Sequence, residues 1–446
     1  MPMIVAREST VPPGPTGLPG IGCALESRRA LEFLLENRRN YGDVVYYQFF
    51  TEPVYQLNHP DDIESVLVTN NQAFTKSHLT KDVLGPIAGE GLFTSDGDLW
   101  REQRQRIQPA FHPDQIAVYA DLMVDAIDRR LSTWTPGDQI DINQEMRAVT
   151  LDVVARALLG AEVETEIERI GTSLDTIFGR LGSAWHHLLP GWVPTPGNRR
   201  FEGALSSLET VVDDIIAERR TNPDGDDVLS RLLAAEFSGG EPMSRRQLRD
   251  EVMTFLVAGH ETTAQALTFT CYLLATHPNA ETTLVQELEA ELDGSDPTTA
   301  VMDELAYTER VITESLRLYP PASDIHREPV DGIDIRGYQI PPGATIATPP
   351  WVVHRDPRWY DGPDAFRPAR WTDDFRAALP RLAYFPFGAG PRRCVGERFA
   401  LMEATLVLAA LYQNYHLELD SETTFEVESA VTTRPKHPIR MTVQDR

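Results

Sequence analysis

The chain has 446 residues, with 67 acidic and 41 basic side chains, and its formal net charge is −26. Because so few positive charges are available to neutralise phosphates, this balance argues against nucleic acid as a partner. The length exceeds that of a typical domain, although single domains of this size occur. The three cysteines, Cys23, Cys271 and Cys394, lie far apart, which indicates a reducing compartment and no disulfide framework.

The first 20 residues contain no apolar run long enough to enter a membrane and no charged-then-apolar signal pattern. The prolines and glycines of residues 12–15 and 19–20 predict a stiff, polyproline-like lead-in, although a disordered tail fits this composition equally well. We therefore expect a cytoplasmic protein without a membrane anchor.

The next segments predict two strands, a helix and a loop. β-Branched and aromatic residues at 44–50 and 54–57 predict the strands, and Pro60 predicts a helix that ends near Val68. Residues 74–98 are rich in glycine and predict a loop. This loop nevertheless carries four apolar side chains, Leu84, Ile87, Leu92 and Phe93. A loop over an apolar pocket and an ordinary packed surface loop are equally compatible with this pattern.

Residues 114–235 show helical periodicity that is broken at 136–137, 189–191 and 194–197. Within this region, residues 181–193 form an apolar and aromatic segment that predicts a hinge between two helices. His186 and His187 are adjacent and would face different sides, so they are a poor metal pair.

A long helix is predicted to begin at the capping box of Ser244 and Gln247 and to continue to His277. At about 1.5 Å per residue it would be roughly 45–50 Å long, and its centre is apolar nearly all round. That centre contains the sequence Ala-Gly-His-Glu-Thr-Thr at 258–263. Mid-helix glycine costs about 1 kcal/mol relative to alanine, and buried Glu or Thr costs more unless it is paired. A purely structural helix would seldom carry both.

Two residues of this segment share one helical face. Ala258 and Thr262 are one turn apart and small enough to admit a flat ring and a diatomic ligand. The Thr262 hydroxyl can donate to a carbonyl of the preceding turn, bend the helix and open a polar notch. A bland kink in a core helix is the alternative interpretation.

Further along, Glu314 and Arg317 lie three apart on a helix that ends near Tyr319. Residues 333–336 and 345–347, separated by Pro-Pro-Gly, predict the two strands of a hairpin. Residues 397–412 predict an amphipathic helix, and residues 416–443 alternate like strands.

The most informative motif is the turn at 387–396, which places Cys394 among small residues just before that helix. Gly388 and its neighbours permit open backbone angles, so that N–H groups can point at a sulfur, and the start of the helix favours a thiolate. Without a second cysteine or a paired histidine nearby, the site does not fit zinc or an iron–sulfur cluster. It fits an iron held by a porphyrin, which implies haem. A small buried cysteine before a helix is the alternative interpretation.

The pattern F-x-x-G-x-R-x-C-x-G at 387–396 resembles the haem-ligand loop of the cytochrome P-450 family of haem-thiolate monooxygenases. Residues 258–262 match the family's oxygen-activating motif, A-G-x-[DE]-T, and the resemblance extends from about Pro12 to the end. It implies one mainly helical α+β domain over 1–446, with haem b between the long helix and the Cys394 loop.

The resemblance also implies the reaction and its partners. One oxygen atom from O₂ would enter a hydrophobic organic substrate, such as a fatty-acid-, terpene- or steroid-like molecule. Two electrons would come from an external ferredoxin or flavodoxin-type donor, for which Arg393 and Arg398 are candidate contacts. We expect a monomer. A haem-thiolate gas-binding module and a peroxygenase or isomerase are the competing classes, and neither requires Glu261 and Thr262.

By position in the family motifs, Cys394 is implied to bind the iron, and Glu261 and Thr262 are implied to deliver protons. The other residues implied to bind haem are Trp100, Arg104, Ala258, Arg327, Phe387, Gly388, Arg392 and Gly396. The residues implied to line the substrate pocket are Leu84, Ile87, Leu92, Phe93, Ala322, Ser323 and Ile325, with residues 181–193 as its lid. Glu314, Arg317 and Arg370 would form a charged triad that serves folding. Many soluble members of the family have His where Trp100 stands, so this chain resembles the membrane-type or fatty-acid-hydroxylase branch at that position.

Overall fold

The structure, a computed structural model, describes residues 11–160, 164–181, 195–221, 227–234, 242–299 and 301–446. The predicted hinge at 181–193, with His186 and His187, lies outside these residues except for Leu181. Internal contacts divide the chain into two compact units. The sheet unit comprises Met1–Lys81, Ser323–Pro363 and Ala378–Arg393, and the helical unit comprises Asp82–Ala322, Asp364–Ala377 and Cys394–Arg446.

The helices of the described residues are α1 Ala30–Tyr41, α2 Pro60–Glu64, α3 His78–Ala88, α4 Gly97–Ile107, α5 Pro113–Leu131, α6 Ile142–Val153, α7 Glu164–Leu181, α8 Pro196–Thr221, α9 Val228–Ala234, α10 Arg245–Thr276, α11 Pro278–Leu292, α12 Ala306–Leu318, α13 Pro350–Val353, α14 Asp373–Ala378 and α15 Glu397–Asn414. The strands are β1 Val44–Phe49, β2 Glu52–Leu57, β3 Phe74–Lys76, β4 Gln139–Asp141, β5 Ile325–Pro329, β6 Ile333–Ile335, β7 Tyr338–Ile340, β8 Thr345–Thr348, β9 Tyr415–Leu419, β10 Val427–Ser429, β11 Thr433–Pro435 and β12 Arg440–Asp445.

A five-stranded sheet in the order β1-β2-β8-β5-β3 forms the core of the sheet unit. The β2–β8 pair is parallel, and the other neighbouring pairs are antiparallel. The predicted strands at 44–50 and 54–57 are confirmed as β1 and β2, because their β-branched and aromatic side chains suit a buried sheet. The helix predicted from Pro60 is also confirmed, and it continues as a π-helical turn over Ser65–Thr69.

The predicted hairpin between 333–336 and 345–347 is wrong. Strand β6 instead pairs with β7. The turn between them has φ of 51° at Arg336 and 87° at Gly337. Two successive positive φ angles are typical of the two-residue turns that join twisted antiparallel strands. Strand β8 pairs with β5, which precedes the β6–β7 hairpin, and with β2, which is distant in sequence.

The loop predicted over 74–98 is also largely wrong, because β3 and α3 occupy most of it. Helix α3 contains Pro86, which lies in its last turn. A proline there lacks the amide that would donate to the Asp82 carbonyl, but only two helical residues follow it, so the disruption is confined to the end of the helix. Irregular backbone remains between α3 and α4.

Helix α10 is the long predicted helix, and its 32 residues confirm that prediction. The Ser244 hydroxyl accepts a hydrogen bond from the Gln247 amide at 3.2 Å, which caps the first turn. The helix packs on α6, α12 and α15 within the helical unit. Most of its side chains are therefore buried, as the all-round apolar pattern predicts.

Helix α15 is not amphipathic as predicted, because nearly every side chain from Met402 to Tyr412 is buried. Helices α5, α10, α11 and α12 all pack against it. The strands predicted after it are confirmed: β12 pairs with both β9 and β4, and β10 pairs with β11.

In the part of the chain that the structure describes, no helix combines the length and apolar character needed to cross a bilayer. All three cysteines lie among the described residues, and none of them takes part in a disulfide. Cys23 and Cys271 are buried, whereas Cys394 is exposed.

Candidate functional site

The central face of α10 is the one open stretch in the middle of an otherwise buried helix. Ala258 is exposed and Thr262 is half-buried, while the turns on either side, 251–256 and 263–270, are buried. The Thr262 hydroxyl donates to the Ala258 carbonyl with an Oγ1–O distance of 2.6 Å. Because the hydroxyl proton is engaged there, the lone pairs of Thr262 Oγ1 can accept a hydrogen bond from another group.

Gly259 has a packing reason that the sequence did not indicate. A Cβ at this position would lie 3.1 Å from Cγ2 of Val154 and 3.8 Å from Cδ1 of Leu158. Both residues belong to the π-helical turn Val154–Leu158, which continues α6. Glycine therefore lets α10 approach this turn closely, and this packing explains Gly259 without any ligand.

Glu261 is buried and held by two side chains. Gln265 Nε2 donates to Glu261 Oε1 at 2.9 Å, and Arg147 Nε lies 3.1 Å from Glu261 Oε2. Arg147 on α6 also pairs with Asp175 on α7, with Nη2 2.6 Å from Oδ1. Asn143 on α6 donates to Gln265 Oε1 at 3.0 Å. Sequence reasoning missed Arg147 and Gln265, because the pairing of α6 with α10 is non-local.

His260, the remaining polar residue of this turn, is buried beside Thr150 of α6. The Thr150 hydroxyl lies 3.1 Å from His260 Nδ1 and 3.1 Å from the His260 carbonyl. Burial, with a smaller effect from Arg147, lowers the pKa of His260 to about 3. The imidazole is therefore neutral at physiological pH.

Glu403 on α15 is a second buried acid that sequence reasoning missed, because it stands alone in an apolar run. Its side chain is fully buried. Burial raises the pKa of Glu403 well above the usual range, and the Thr263 hydroxyl opposes this effect more weakly. Burial of this carboxyl group therefore favours its neutral form.

Cys394 lies in the helical unit, and α15 begins three residues later. Cysteine is among the most frequently buried residue types, so an exposed thiol before a helix is unusual. At the intervening Gly396, φ is −88°, and a Cβ would make only an ordinary 3.7 Å contact with Phe111. The fold itself therefore does not require glycine there. An exposed sulfur beside a glycine that packing does not require fits a flat cofactor whose metal the sulfur would ligate.

Helix α4 places Trp100 and Arg104 one turn apart on the same face. Burial lowers the pKa of Arg104, while the charge of the nearby Cys394 sulfur acts in the opposite direction. The guanidinium is therefore near enough to Cys394 to interact with it electrostatically. A positive neighbour of this kind favours the thiolate form of cysteine.

The predicted pocket residues of the helical unit differ in exposure. Leu84 and Ile87 are buried on α3, Leu92 is buried in the loop that follows, and Phe93 is 45% exposed. Ala322 is half-buried at the end of the same unit.

The other predicted site residues belong to the sheet unit. Ser323 is buried, Ile325 and Arg327 are half-buried on β5, and Arg327 Nη1 donates to the His326 carbonyl at 2.8 Å. Phe387 and Arg392 are half-buried, and Gly388 has a φ of 72°, which favours glycine.

The structure brings the three residues of the predicted charged triad together in the helical unit. Arg317 donates to both carboxylate oxygens of Glu314, at 2.8 and 2.9 Å, and Arg370 Nε donates to Oε1 at 2.9 Å. The Trp371 indole and the Arg367 amide add donors at 2.9 Å each. Because the buried carboxylate has so many donors, its desolvation is well compensated.

Comparisons with known proteins agree over nearly the whole chain. A family model described as Cytochrome P450 matches residues 12–443. The chain is 38% identical over 412 residues to cyclooctatin synthase of Streptomyces melanosporofaciens, with 90% of this chain and 88% of that protein covered. It is 34% identical over 432 residues to pentalenene oxygenase of Streptomyces avermitilis, with 96% and 95% covered. Among solved structures, retinoic-acid-bound cyanobacterial CYP120A1 superposes with a TM-score of 0.88 at 26% identity, covering 98% of this chain and 100% of that one.

Proposed function

Because the chain belongs to the cytochrome P450 family, we propose that Cys394 is the axial ligand of its haem iron and that Glu261 and Thr262 handle protons in the reaction. The predicted family, fold class, haem cofactor and reaction class are confirmed by the family match and by relatives named as oxygenases. The protein is a haem-dependent monooxygenase.

Three features of the helical unit support the haem assignment. Cys394 is exposed, Gly396 has no packing reason to be glycine, and Arg104 interacts electrostatically with the sulfur. The bound haem iron supplies the reductive activation of dioxygen, which delivers one oxygen atom to the substrate. From the family motifs we also expect Trp100 of the helical unit to contact the haem. The same motifs imply haem contacts for four residues of the sheet unit, Arg327, Phe387, Gly388 and Arg392.

The proton-handling residues are held in defined orientations. Thr262 Oγ1 donates to the Ala258 carbonyl, so it is poised to accept a hydrogen bond from one water molecule and to hold it on this face. Glu261 is anchored by Arg147 and Gln265 within the buried side of the helix. A proton relay through Glu261 therefore requires its carboxylate to leave Arg147.

For the substrate, we propose a hydrophobic ring compound of terpene-like character. The observation that carries this proposal is the identity of 38% and 34% to relatives named for cyclooctatin and pentalenene, both of which are ring compounds by name. The buried pocket candidates Leu84, Ile87 and Leu92 are all apolar, which suits such a molecule. Fatty-acid-like and steroid-like molecules are the alternatives to be tested.

The ligand assignment is tested by the reduced CO spectrum, in which thiolate ligation gives a strongly red-shifted Soret band. We expect wild type and a Cys23→Ala control to show this band and Cys394→His to lose it. Retention of the same band in Cys394→His would show that another residue ligates the iron.

The substrate assignment is tested by titrating the ferric protein with cyclic terpenes and with straight-chain fatty acids of equal carbon number. We expect spectral shifts at lower concentration for the ring compounds. Equal or tighter binding of the straight chains would overturn the proposal.

We further propose that an external ferredoxin or flavodoxin-type protein supplies the electrons. Arg393 and Arg398 are both exposed. Charges at the edge of a docking interface act mainly on the association rate, so these arginines would speed association with an acidic carrier. Single Arg393→Glu and Arg398→Glu variants should be reduced more slowly at low salt, and rates equal to wild type would count against both residues.

Turnover with peroxide but none with a ferredoxin system would instead favour the peroxygenase class.

A further inference from the structure

The loop between α3 and α4 is tied to α10 by two buried carboxylates. The Glu90 amide donates to Asp250 Oδ2 at 3.0 Å, and the Leu92 amide donates to Glu251 Oε2 at 2.9 Å. Asp250 is 6% exposed and Glu251 is 0% exposed. Hydrogen bonds from amides to buried carboxylates are among the stronger ones in proteins. The backbone that leads into the predicted pocket residues Leu92 and Phe93 is therefore fixed by α10.

The glycines of this loop show how closely it lies on the helix. A Cβ at Gly91 would clash with Thr254 Oγ1 and lie 2.6 Å from the Asp250 carbonyl. Gly89 has a φ of 51°, which favours glycine, and a Cβ there would meet the Asp250 carboxylate. Substitution at either glycine would push the loop away from α10.

The same loop is also hydrogen-bonded to α4. The Gln103 side chain on α4 is fully buried and donates to the Glu90 carbonyl at 2.6 Å. Thr94 Oγ1 donates to the Gly89 carbonyl at 2.7 Å. The loop therefore has defined contacts with two helices, and Glu251 is the contact that positions its last turn.

Glu251 lies on the face of α10 that carries Ala258 and Thr262. At about 100° per residue, seven and eleven residues bring Ala258 and Thr262 to within about 20° of the direction of Glu251. At about 1.5 Å per residue, Ala258 is roughly 10 Å further along the axis and Thr262 roughly 16 Å. Asp250 points about 80° away from Ala258 by the same calculation. The bond from Leu92 to Glu251 therefore brings this part of the loop to the open face of the helix.

We propose that Glu251 is a specificity-determining residue, which acts by positioning Leu92 and Phe93 beside the Ala258–Thr262 face. The inference rests on the proposed function, because it concerns which carbon of the substrate is presented for oxidation. Glu251 contacts the loop backbone rather than the substrate, so its effect reaches the reaction through the placement of the two apolar side chains. Asp250 serves the glycine turn and not this face.

A matched pair of variants isolates the hydrogen bond. Glu251→Gln retains an acceptor oxygen, whereas Glu251→Leu removes it, and both remove the charge. In the holoenzyme we expect hydrogen exchange at the Leu92 amide to accelerate at least tenfold in Glu251→Leu and to stay within about threefold of wild type in Glu251→Gln. With a cyclic terpene that wild type oxidises, Glu251→Leu should change the ratio of product isomers and raise KM severalfold, while kcat stays within about twofold. Glu251→Gln should restore the wild-type ratio.

Gly91→Ala provides an independent test, because it displaces the loop without altering Glu251. The matched control is Gly85→Ala on α3, where a Cβ would meet nothing within 4 Å. We expect the same direction of change in product isomers for Gly91→Ala as for Glu251→Leu, and none for Gly85→Ala.

A wild-type isomer ratio in Glu251→Leu, with faster exchange at Leu92, would reduce the contact to a structural role and overturn the proposal. Equal changes in Glu251→Gln and Glu251→Leu would assign the effect to charge and would also overturn it. The reduced CO band of each variant is recorded in parallel. Absence of that band from the wild-type protein would contradict the proposed haem ligation. An unchanged isomer ratio in Glu251→Leu would contradict only the proposal for Glu251, so the two failures are distinguishable.

Discussion

Arg147 holds Glu261 in the interior of the helical unit, with Arg147 Nε 3.1 Å from Glu261 Oε2. The Glu261 side chain is only 3% exposed, whereas that of Asp175, which also pairs with Arg147, is 61% exposed. A buried carboxylate requires a partner, and a solvated one does not. Arg147 therefore matters to Glu261 much more than to Asp175.

We expect Arg147→Leu to lower the free energy of unfolding by about 3 kcal/mol, because it leaves the Glu261 carboxylate buried without its cation. Adding Glu261→Gln to Arg147→Leu should recover most of this loss. Urea unfolding of the two single variants and the double variant gives the coupling energy between the side chains. Asp175→Asn is the control, and its effect should stay below about 1 kcal/mol. A coupling energy near zero would show that the ion pair contributes nothing to stability.

His260 should make the protein sensitive to moderate acid. Its pKa is about 3 in the folded state and near 6.5 when unfolded, so the unfolded state binds the proton first as the pH falls. The folded state therefore loses about 1.4 kcal/mol per pH unit between pH 6.5 and pH 3, or about 2 kcal/mol by pH 5. His260→Gln should remove this component. We expect its melting temperature to fall less than that of wild type between pH 7.5 and pH 5, and parallel curves would contradict the prediction.

Glu403 should have the opposite dependence. Because burial raises its pKa in the folded state, wild type loses stability relative to Glu403→Gln as the pH rises above the unfolded value. The expected slope is about 1.4 kcal/mol per pH unit above roughly pH 4.5, until the folded pKa is reached. Denaturant midpoints at pH 4 and pH 7.5 test this: the variant should match wild type at the lower pH and exceed it at the higher. A variant that is less stable at both would show that the carboxyl group is required in another way.

The sequence predicted the elements that depend on local pattern. The capping box at Ser244 and the all-round apolar run after it were sufficient to place α10. Helix α3 was missed because Gly85 and Pro86 suggest a loop, whereas Pro86 lies so near the end of the helix that it disrupts only the last turn. The strand at 345–348 was recognised as a strand, but its partners β2 and β5 are set by the fold and cannot be read from spacing.

The candidate site shows the same division. Spacing and residue type were sufficient to propose Glu261, Thr262 and Cys394 as candidates. Arg147 and Glu403 carry no local signature, because each pairs with α10 across a large sequence separation. Helical spacing shows which side chains share a face, but it does not show which neighbouring helix covers that face.

The remaining prediction concerns Thr262. Its hydroxyl can hold one water only while it is oriented by the Ala258 carbonyl, and the site must otherwise stay dry for electrons to end in product. We expect Thr262→Ala to bind haem and substrate nearly as wild type does, because a small side chain on a half-buried face is lost. Product formed per NAD(P)H consumed should fall at least ~3-fold, which is far less than the ~10²–10⁴-fold in rate that a positioned proton-transfer group contributes, and the missing electrons should be recovered as hydrogen peroxide or water. Thr262→Ser, which keeps the hydroxyl, should restore the coupling.

Thr270 supplies the matched control for this measurement. Its hydroxyl also donates to the carbonyl four residues earlier, that of Ala266, at 2.7 Å, but it is buried and lies eight residues from Thr262. At about 1.5 Å per residue, that places it roughly 12 Å away along the axis. Thr270→Ala should therefore leave the coupling unchanged. Equal coupling in wild type and Thr262→Ala would remove the proton-handling role, and the haem would then be acting without help from this hydroxyl.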